Sequence, residues 1–304
     1  MASPQPFARR VLLVEPASFG SNPETAASNE FQRAEGEGHE LNALALGEIR
    51  ALVKLLEGAG VECCVVQDRP APRKPDAVFP NNIFATWPDG RATWFPMFSP
   101  LRRAERESLR SALESYAWDD SWLGYESAGR YLEGTGSLVL DQGARIAYAV
   151  RSPRTDENLV RDWCNQEHFE PVIFDAVGPA GLEIYHTNVV MGVGPGFIGV
   201  GLDCIPSLDQ RAHVRQAIQD SGREIFEFTP EQIASFAGNF LTLRNSRDEI
   251  VIVMSYTGWQ SLRPDQHVFL QARARVLTPD LPTIEAYGGG SARCCLAELW
   301  ASSA

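Results

Sequence analysis

The stretch Gly288-Gly289-Gly290-Ser291-Ala292-Arg293-Cys294-Cys295, near the C-terminus, places a cation and a thiol directly after three glycines. Because glycine has no side chain, such a run allows a turn that lies close against a ligand. The apolar residues 296–300 follow and predict a β-strand. A cysteine at this junction is placed to act as a nucleophile if a cation and a histidine favour its thiolate. On its own, an intracellular cysteine is more often a small buried apolar residue than a nucleophile. The choice between the two roles therefore depends on the pattern in the rest of the chain.

A period of roughly 50 residues runs through the chain and leads to this stretch. Pairs of apolar runs around short turns predict β-hairpins at residues 82–95, 137–150, 187–202 and 239–254. Between the hairpins lie a helical stretch, such as residues 102–116, and a further apolar strand, such as residues 171–174. The strand after Cys294 forms half of a fifth hairpin, and we expect it to pair with a strand at residues 10–15.

This repeat predicts the fold class. An α/β protein of five ββαβ units with pseudo-fivefold symmetry forms a closed propeller around a central cavity and leaves no sheet edge exposed. No linker divides the sequence, so we expect residues 1–304 to form a single propeller domain. The polar stretch 16–38 is too long for an ordinary connection and predicts a binding loop or lid.

The composition restricts the class of partner. Of the 304 residues, 44% are hydrophobic and 22% are charged, as expected for a globular protein with a large core. The net charge of −12 disfavours nucleic acids and anionic membranes, and a small molecule is the expected ligand. No apolar run approaches the roughly 20 residues of a membrane span, and residues 1–10 lack the apolar segment of a secretory signal.

The six cysteines form two adjacent pairs and two isolated positions: Cys63, Cys64, Cys164, Cys204, Cys294 and Cys295. They show neither CxxC spacing nor a disulfide framework, which predicts a reducing cytoplasmic location. Four sulfur or nitrogen ligands at workable spacing cannot be assembled from the sequence, so we expect no metal site.

The equivalent ends of five strands meet at the axis of such an array, so the residues at these ends are expected to line one cavity. They are Asp76, Phe79, Asn82, Glu133, His186, Asn188, Asn239, Arg293 and Cys294. A thiol, an imidazole and a carboxylate from three units are the parts of a Cys-His-Glu site, in which the thiolate attacks and the histidine moves protons. Of the five histidines, only His186 leads into an apolar strand.

Six motifs at or near these positions resemble the arginine deiminase and amidinotransferase superfamily. They are Asn22-Pro23-Glu24-Thr25, Asp76-Ala77-Val78-Phe79, Glu133-Gly134, Ser152-Pro153-Arg154-Thr155, His186 two residues before Asn188, and Gly-Gly-x-x-x-Arg-Cys at the C-terminus. The resemblance covers essentially the whole chain. It implies a five-unit pseudo-symmetric α/β propeller that uses Cys, His and Glu without a cofactor.

Carried over position by position, the resemblance implies a role for each site residue. Cys294 resembles the nucleophile, His186 the general acid and base, and Glu133 the third member of the catalytic group. The implied substrate-binding residues are Arg154 as the anchor of an α-carboxylate, Asp76 and Phe79 as pocket lining, and either Arg102 or Arg103 as a second anchor. The Arg-Cys step of the family selects Cys294 over Cys295, and strand alternation would turn Cys295 towards the core.

Asn82 and Asn188 depart from the family pattern. Members that bind a guanidinium usually carry a carboxylate at the first position, and deiminases also carry one at the second. Burying a permanently charged guanidinium without carboxylates costs several kcal/mol, whereas an amide offers both a donor and an acceptor to a neutral ureido group. These residues therefore favour a urea-bearing substrate, unless they are ordinary turn residues and Asp76 and Glu133 suffice for a guanidinium.

The citrulline-utilisation branch of the superfamily is similar in this respect. It implies hydrolysis of citrulline to ornithine, ammonia and carbon dioxide through a covalent cysteine intermediate. The alternatives are an arginine or methylarginine deiminase, an amidinotransferase, and a propeller-fold binding protein similar to the ribosome anti-association factor that shares this fold. Intact Glu133, His186 and Cys294 argue against the binding protein. The expected partner is an amino-acid substrate, and a homo-oligomer stays open.

Overall fold

The computed structural model describes residues 6–300, which contain five three-stranded β-sheets. The strands are β1 (Arg10–Glu15), β2 (Glu62–Gln67), β3 (Phe84–Thr86), β4 (Arg91–Trp94), β5 (Ala117–Asp119), β6 (Leu138–Asp141), β7 (Ile146–Val150), β8 (Glu170–Phe174), β9 (Met191–Gly194), β10 (Phe197–Val200), β11 (Glu224–Glu227), β12 (Leu241–Arg244), β13 (Ile250–Val253), β14 (Arg275–Leu277) and β15 (Ala297–Leu299). Residues 1–5, part of the segment tested for a secretory signal, and residues 301–304 lie outside the described residues.

All five sheets share one topology, in which two antiparallel strands are followed by a third that is parallel to the middle one. In four sheets the antiparallel pair is a hairpin, such as β9 and β10, where Met191 lies opposite Val200. In the remaining sheet β15 pairs with β1, and Ala297 lies opposite Leu12, so the two ends of the chain complete one unit. The predicted five-unit α/β propeller is confirmed.

The helices are α1 (His39–Gly58), α2 (Pro100–Arg103), α3 (Glu105–Arg110), α4 (Gly134–Ser137), α5 (Glu157–Glu167), α6 (Thr187–Val190), α7 (Leu208–Asp220), α8 (Pro230–Ala234), α9 (Tyr256–Gln260) and α10 (Pro264–Gln271). The long helix α1 buries Ala45, Ile49, Leu52 and Leu56, which recur every three or four residues and so form one apolar face. Between β4 and β5, the predicted single helix is broken into α2, α3 and a 3-10 turn at Ser111–Leu113.

The segments that lead to the axis differ from the prediction, because they are short helical turns where strands were expected. Residues 187–190 form α6, although the sequence Thr-Asn-Val-Val favours a strand. The Thr187 hydroxyl explains the difference, since it donates to the Ser137 carbonyl over 2.6 Å and accepts from the Val150 amide over 2.7 Å. Contacts with the neighbouring unit therefore override the local preference and turn residues 186–188 towards the axis.

Inner strands of neighbouring units lie against each other near the axis, as seen for β15 with β3, β6 with β9 and β9 with β12. Apolar side chains of the sheets and helices fill the space between units. Within residues 6–300, the longest apolar helical segment falls short of what a membrane crossing requires.

Candidate active site

The glycine-rich turn lies directly against the side chain of Phe79. A Cβ atom on Gly288 or Gly290 would come within 2.7 or 2.9 Å of the Phe79 ring, and Gly289 has a positive φ of 66°. The turn leads into a helical turn in which the Cys294 amide donates to the Ser291 carbonyl over 3.0 Å. These close contacts bring the Cys294 thiol, only 3% exposed, to the axis of the propeller.

A cavity of about 290 Å³ opens in front of this thiol. Its lining combines residues of the glycine turn, the loop 16–38 and the axial ends of several units: Thr25, Asn29, Asp76, Phe79, Asn82, Arg102, Arg154, Tyr185, His186, Gly288, Gly290 and Cys294. The loop 16–38 thus contributes directly to the cavity wall. Of the predicted site residues, the structure brings together Cys294, His186, Asp76, Phe79, Asn82, Arg102 and Arg154.

Glu133 lies behind the imidazole of His186. Its Oε2 atom is 2.8 Å from His186 Nε2, and its Oε1 atom accepts from the Phe98 amide over 2.9 Å. Burial lowers the pKa of His186 to about 4, although the Glu133 contact acts in the opposite direction. Burial also disfavours the Glu133 carboxylate, but the bond to His186 and nearby cations outweigh it and leave a pKa of about 2. A neutral imidazole with its proton on Nε2 keeps Nδ1 free as a base.

The surroundings of the Cys294 thiol act on its pKa in both directions. Burial raises its pKa, while hydrogen bonds from the Ser291 backbone and the Asn239 amide, and then the charge of Arg293, act to lower it. The Arg293 guanidinium is turned towards Glu298, 3.0 Å away, and the Leu296 carbonyl. The cation next to the thiol in sequence is therefore already paired.

Arg154 presents an unsatisfied donor to the cavity. Its Nη2 atom donates to the Thr25 carbonyl and the Ser28 hydroxyl, and its guanidinium lies 4.3 Å above the Tyr185 ring. Its Nε atom is buried without a hydrogen-bond partner. A planar guanidinium with free donors is suited to binding a carboxylate.

Arg102 fixes the orientation of Asn82. The Arg102 Nη1 atom donates to Asn82 Oδ1 over 2.7 Å, and its other donors bind Glu105 and the Phe79 carbonyl. Since arginine can only donate, the amide nitrogen of Asn82 must be the end that points away from it. This nitrogen is buried without a partner and lies beside Gly136, which also approaches Nδ1 of His186. The side chain of Arg102 thus donates to protein groups, and Asn82 presents an N–H2 group without a partner to the cavity.

Two predicted substrate contacts lie elsewhere. Arg103 binds the carbonyls of Met97 and Phe98 and pairs with Glu126, and it is not part of the cavity lining. Asn188 lies on the far side of the thiol, where its amide is 3.8 Å from Cys294 Sγ. It lines a second cavity of about 700 Å³ that also contains Arg293 and Glu298.

Cys294 and Cys295 both precede β15, so strand alternation is not the reason that they differ. They lie in the helical turn after Ser291, where Cys295 is fully buried in an apolar cluster with Leu296. The cavity lining includes Cys294 and excludes Cys295.

Sequence reasoning assigned no role to several residues around the site. Tyr185 stacks beneath Arg154 and donates to the Gly289 carbonyl, and Asn239 donates to the thiol itself. Asn239 was predicted to line the axial cavity but was given no function, and the only signal for Tyr185 was its position next to His186. Among the described residues, no cluster of three or more metal-ligating side chains is formed.

Comparison with known proteins identifies the family. The family model described as N,N dimethylarginine dimethylhydrolase, eukaryotic, matches residues 15–301. The chain belongs to this family. It is therefore an enzyme of the arginine deiminase and amidinotransferase superfamily, as the sequence motifs predicted. Among curated proteins, no sequence matches the chain.

Solved structures share its fold at low sequence identity. The N-terminal domain of ArgZ, an arginine dihydrolase from the ornithine–ammonia cycle in cyanobacteria, is 16% identical with a TM-score of 0.71, over 95% of this chain and 97% of that one. AgrE in complex with L-arginine is 16% identical with a TM-score of 0.74, over 95% of this chain and 40% of that one. A dimethylarginine dimethylaminohydrolase adduct is 14% identical with a TM-score of 0.64, over 96% and 100%.

Proposed function

We propose that this enzyme hydrolyses citrulline to ornithine, ammonia and carbon dioxide, with Cys294 as its nucleophile. One observation carries the choice of substrate: Arg102 holds the Asn82 amide so that its N–H2 group is the end without a partner at the cavity. A buried donor of this kind is unfavourable unless a ligand accepts from it. The oxygen of a ureido group is such an acceptor, whereas a guanidinium only donates.

The charges around the cavity support the same substrate. Among the described residues of the lining, Asp76 alone is a carboxylate, and Arg102 and Arg154 are cations. Glu133 is bonded to His186 and lies outside the lining. Arginine would bring an α-ammonium and a guanidinium to this one carboxylate, which already lies 3.9 Å from Nε of Arg102, and a buried cation would be left unpaired. Citrulline brings one cation and one anion.

The same residues define how citrulline binds. Its α-carboxylate accepts from Arg154, whose Nε atom has no other partner. Its α-ammonium donates to Asp76, whose Oδ2 atom already accepts from Asn22 over 2.7 Å, and whose position Asn22 thereby fixes. The ureido oxygen accepts from Asn82. This pose directs the ureido carbon towards Cys294 and the terminal nitrogen towards His186.

The first half of the reaction releases ammonia. His186 Nδ1 takes the thiol proton, and the sulfur of Cys294 attacks the ureido carbon. Glu133 stabilises the imidazolium that forms, because its carboxylate lies 2.8 Å from Nε2. The imidazolium then gives its proton to the terminal nitrogen, the C–N bond breaks, and ammonia leaves. The product is a thiocarbamate between Cys294 and the δ-nitrogen of ornithine.

The second half releases ornithine. His186, again neutral, takes a proton from water, which attacks the thiocarbamate carbon. The C–S bond breaks, Cys294 recovers the proton, and the N-carboxylated ornithine loses carbon dioxide. Water and citrulline thus yield ornithine, ammonia and carbon dioxide, without a redox step.

Hydrolysis of arginine or a methylarginine is the second candidate. The name of the matching family model and the L-arginine bound in the AgrE structure favour it. In that case Asp76 would have to face the guanidinium, and the α-ammonium would lack a carboxylate in the described lining. An amidinotransferase would use the same nucleophile, with an amine in place of water.

Product analysis distinguishes these reactions. The enzyme is incubated separately with citrulline carrying ¹³C in the ureido group, with arginine and with dimethylarginine, and a Cys294→Ser variant serves as the blank. We expect labelled carbon dioxide, ammonia and ornithine from citrulline. Citrulline accumulating from arginine or dimethylarginine, with labelled citrulline left intact, would overturn the proposal.

A further inference from the structure

Among the described residues, no cation is seen to donate a hydrogen bond to the sulfur of the nucleophile, although the charges of Arg293 and Arg102 favour its thiolate. The described groups that face the Cys294 sulfur from the surrounding segments are Asp76, Arg102, Arg154, Tyr185, His186, Arg293 and the thiol of Cys295. The nearest of the cations in sequence, Arg293, is paired with Glu298. His186 is neutral and has no hydrogen bond to the sulfur. The donors that reach the sulfur are therefore neutral groups, among them the Ser291 backbone and the Asn239 side chain.

Asn239 is such a donor. Its side chain is fully buried, and its Nδ2 atom donates to Cys294 Sγ over 3.3 Å and to the Asn188 carbonyl over 2.9 Å. Its Oδ1 atom accepts from the Arg293 backbone amide over 3.0 Å. Because a backbone amide can only donate, the orientation of the Asn239 amide is fixed with N–H towards sulfur.

The backbone next to Asn239 is held in place by a close contact with the neighbouring unit. The preceding Gly238 lies so close to the next unit that a Cβ atom there would be 2.4 Å from the Val189 carbonyl. This close approach sets the distance between the turn that contains Asn239 and the segment that contains Asn188. The Asn188 amide is also in contact with the Cys294 sulfur. Both amide hydrogens and the carbonyl oxygen of Asn239 are used, so its geometry is rigid.

We propose that Asn239 is a catalytic residue, which donates a hydrogen bond to the reacting sulfur and so favours the thiolate over the thiol. The inference rests on Cys294 as the nucleophile of the proposed function, and it does not depend on which substrate is used. A hydrogen bond to a charged group is stronger than one to a neutral group, so the contact stabilises the thiolate more than the thiol.

The test measures the thiolate directly. The rate at which iodoacetamide alkylates Cys294 is followed by mass spectrometry across pH 6 to 11 in the intact protein without substrate, and the midpoint of the profile reports the apparent pKa. Asn239→Ala removes the donor, and Asn239→Asp replaces it with a carboxylate of the same shape. We expect the midpoint to rise by about one pH unit in the first variant, and further in the second, as one unit corresponds to roughly 1.4 kcal/mol.

Asn245→Ala is the matched control, because Asn245 is also fully buried in this part of the chain and bonds to the Ala59 carbonyl and Glu249. It is expected to keep the wild-type midpoint at a similar cost in thermal stability. A wild-type midpoint in both Asn239 variants, or an equal shift in Asn245→Ala, would overturn the role of Asn239. Since no substrate is present, failure of the citrulline assay leaves this test intact.

Discussion

Arg102 donates to Oδ1 of Asn82 over 2.7 Å, and this contact decides which end of the Asn82 amide is offered to a ligand. An aspartate at this position would also accept from Arg102, but it would present a second oxygen where the asparagine presents N–H2. In the proposed function, this atom of residue 82 favours a ureido group over a guanidinium.

Asn82→Asp tests that dependence. The variant should bind citrulline less tightly, because an acceptor faces the ureido oxygen, an unpaired contact worth a few kcal/mol. It should bind arginine more tightly than the wild type does. Binding is measured by calorimetry on a Cys294→Ser background, with Asn81→Asp as the control, since Asn81 is buried next to Asn82 but outside the cavity lining. Unchanged affinities for both ligands in Asn82→Asp would contradict the role of this amide.

The two adjacent thiols should separate cleanly in activity. Cys294→Ser should abolish turnover, because a hydroxyl is a far weaker nucleophile at neutral pH. Cys295→Ser should keep most of the activity but lose roughly 1 to 3 kcal/mol of stability, because it buries a hydroxyl in an apolar cluster. Initial rates and thermal unfolding of both variants check this. If Cys295→Ser were fully folded but inactive, Cys295 and not Cys294 would be the nucleophile in the cavity.

The pH profile reports on His186. Its lowered pKa, about 4, keeps the imidazole neutral at pH 5 to 6, so the activity lost on acidification should appear only near pH 4. An imidazole at its ordinary value of 6.5 would instead cost about tenfold in kcat/KM at pH 5.5. Glu133→Gln removes the charge that stabilises the imidazolium and should lower kcat by about a hundredfold or more. An acid limb near pH 6.5 in the wild type would contradict the assigned protonation state.

Substitution of Arg154, which lines the cavity, should affect substrate binding more than substitution of Arg103, which does not line it. Arg154→Lys should raise KM for citrulline about tenfold or more with a smaller effect on kcat, because a lysine cannot reproduce the guanidinium geometry over Tyr185. Arg103→Lys is the matched control, and steady-state kinetics compare the two. Equal effects of both substitutions would remove the basis for an Arg154 carboxylate anchor.

Much of the fold could be predicted from the sequence, because the weak pattern that predicts one hairpin recurs at a regular spacing along the chain. Each hairpin alone is ambiguous, but five in phase predict closure, including the pairing of β15 with β1 across the whole chain. What failed was local: residues 187–190 favour a strand, yet Thr187 bonds to two neighbouring segments and folds the segment into a helical turn. Such contacts between units have no counterpart in local sequence preference.

The site was predictable as far as residue types, but not as far as orientations. The motifs identified Cys294 and His186, and the phase of the repeat placed Asn82 at the axis, whereas the sequence could not choose between Arg102 and Arg103. That choice depends on which face of one short helix meets Asn82. Asn188 was expected in the same pocket, but the backbone directs it behind the thiol, where Asn239 also lies.

The ratio of kcat/KM for citrulline to that for arginine, measured in wild-type enzyme by ammonia release, which both hydrolyses produce, tests the central claim most directly. Asn82 with its free N–H2 group, and Asp76 as the one carboxylate in the described lining, predict a ratio well above one, by about a hundredfold if a single unpaired buried charge separates the substrates. A ratio at or below one, with arginine turned over at a rate that Cys294→Ser abolishes, would contradict it.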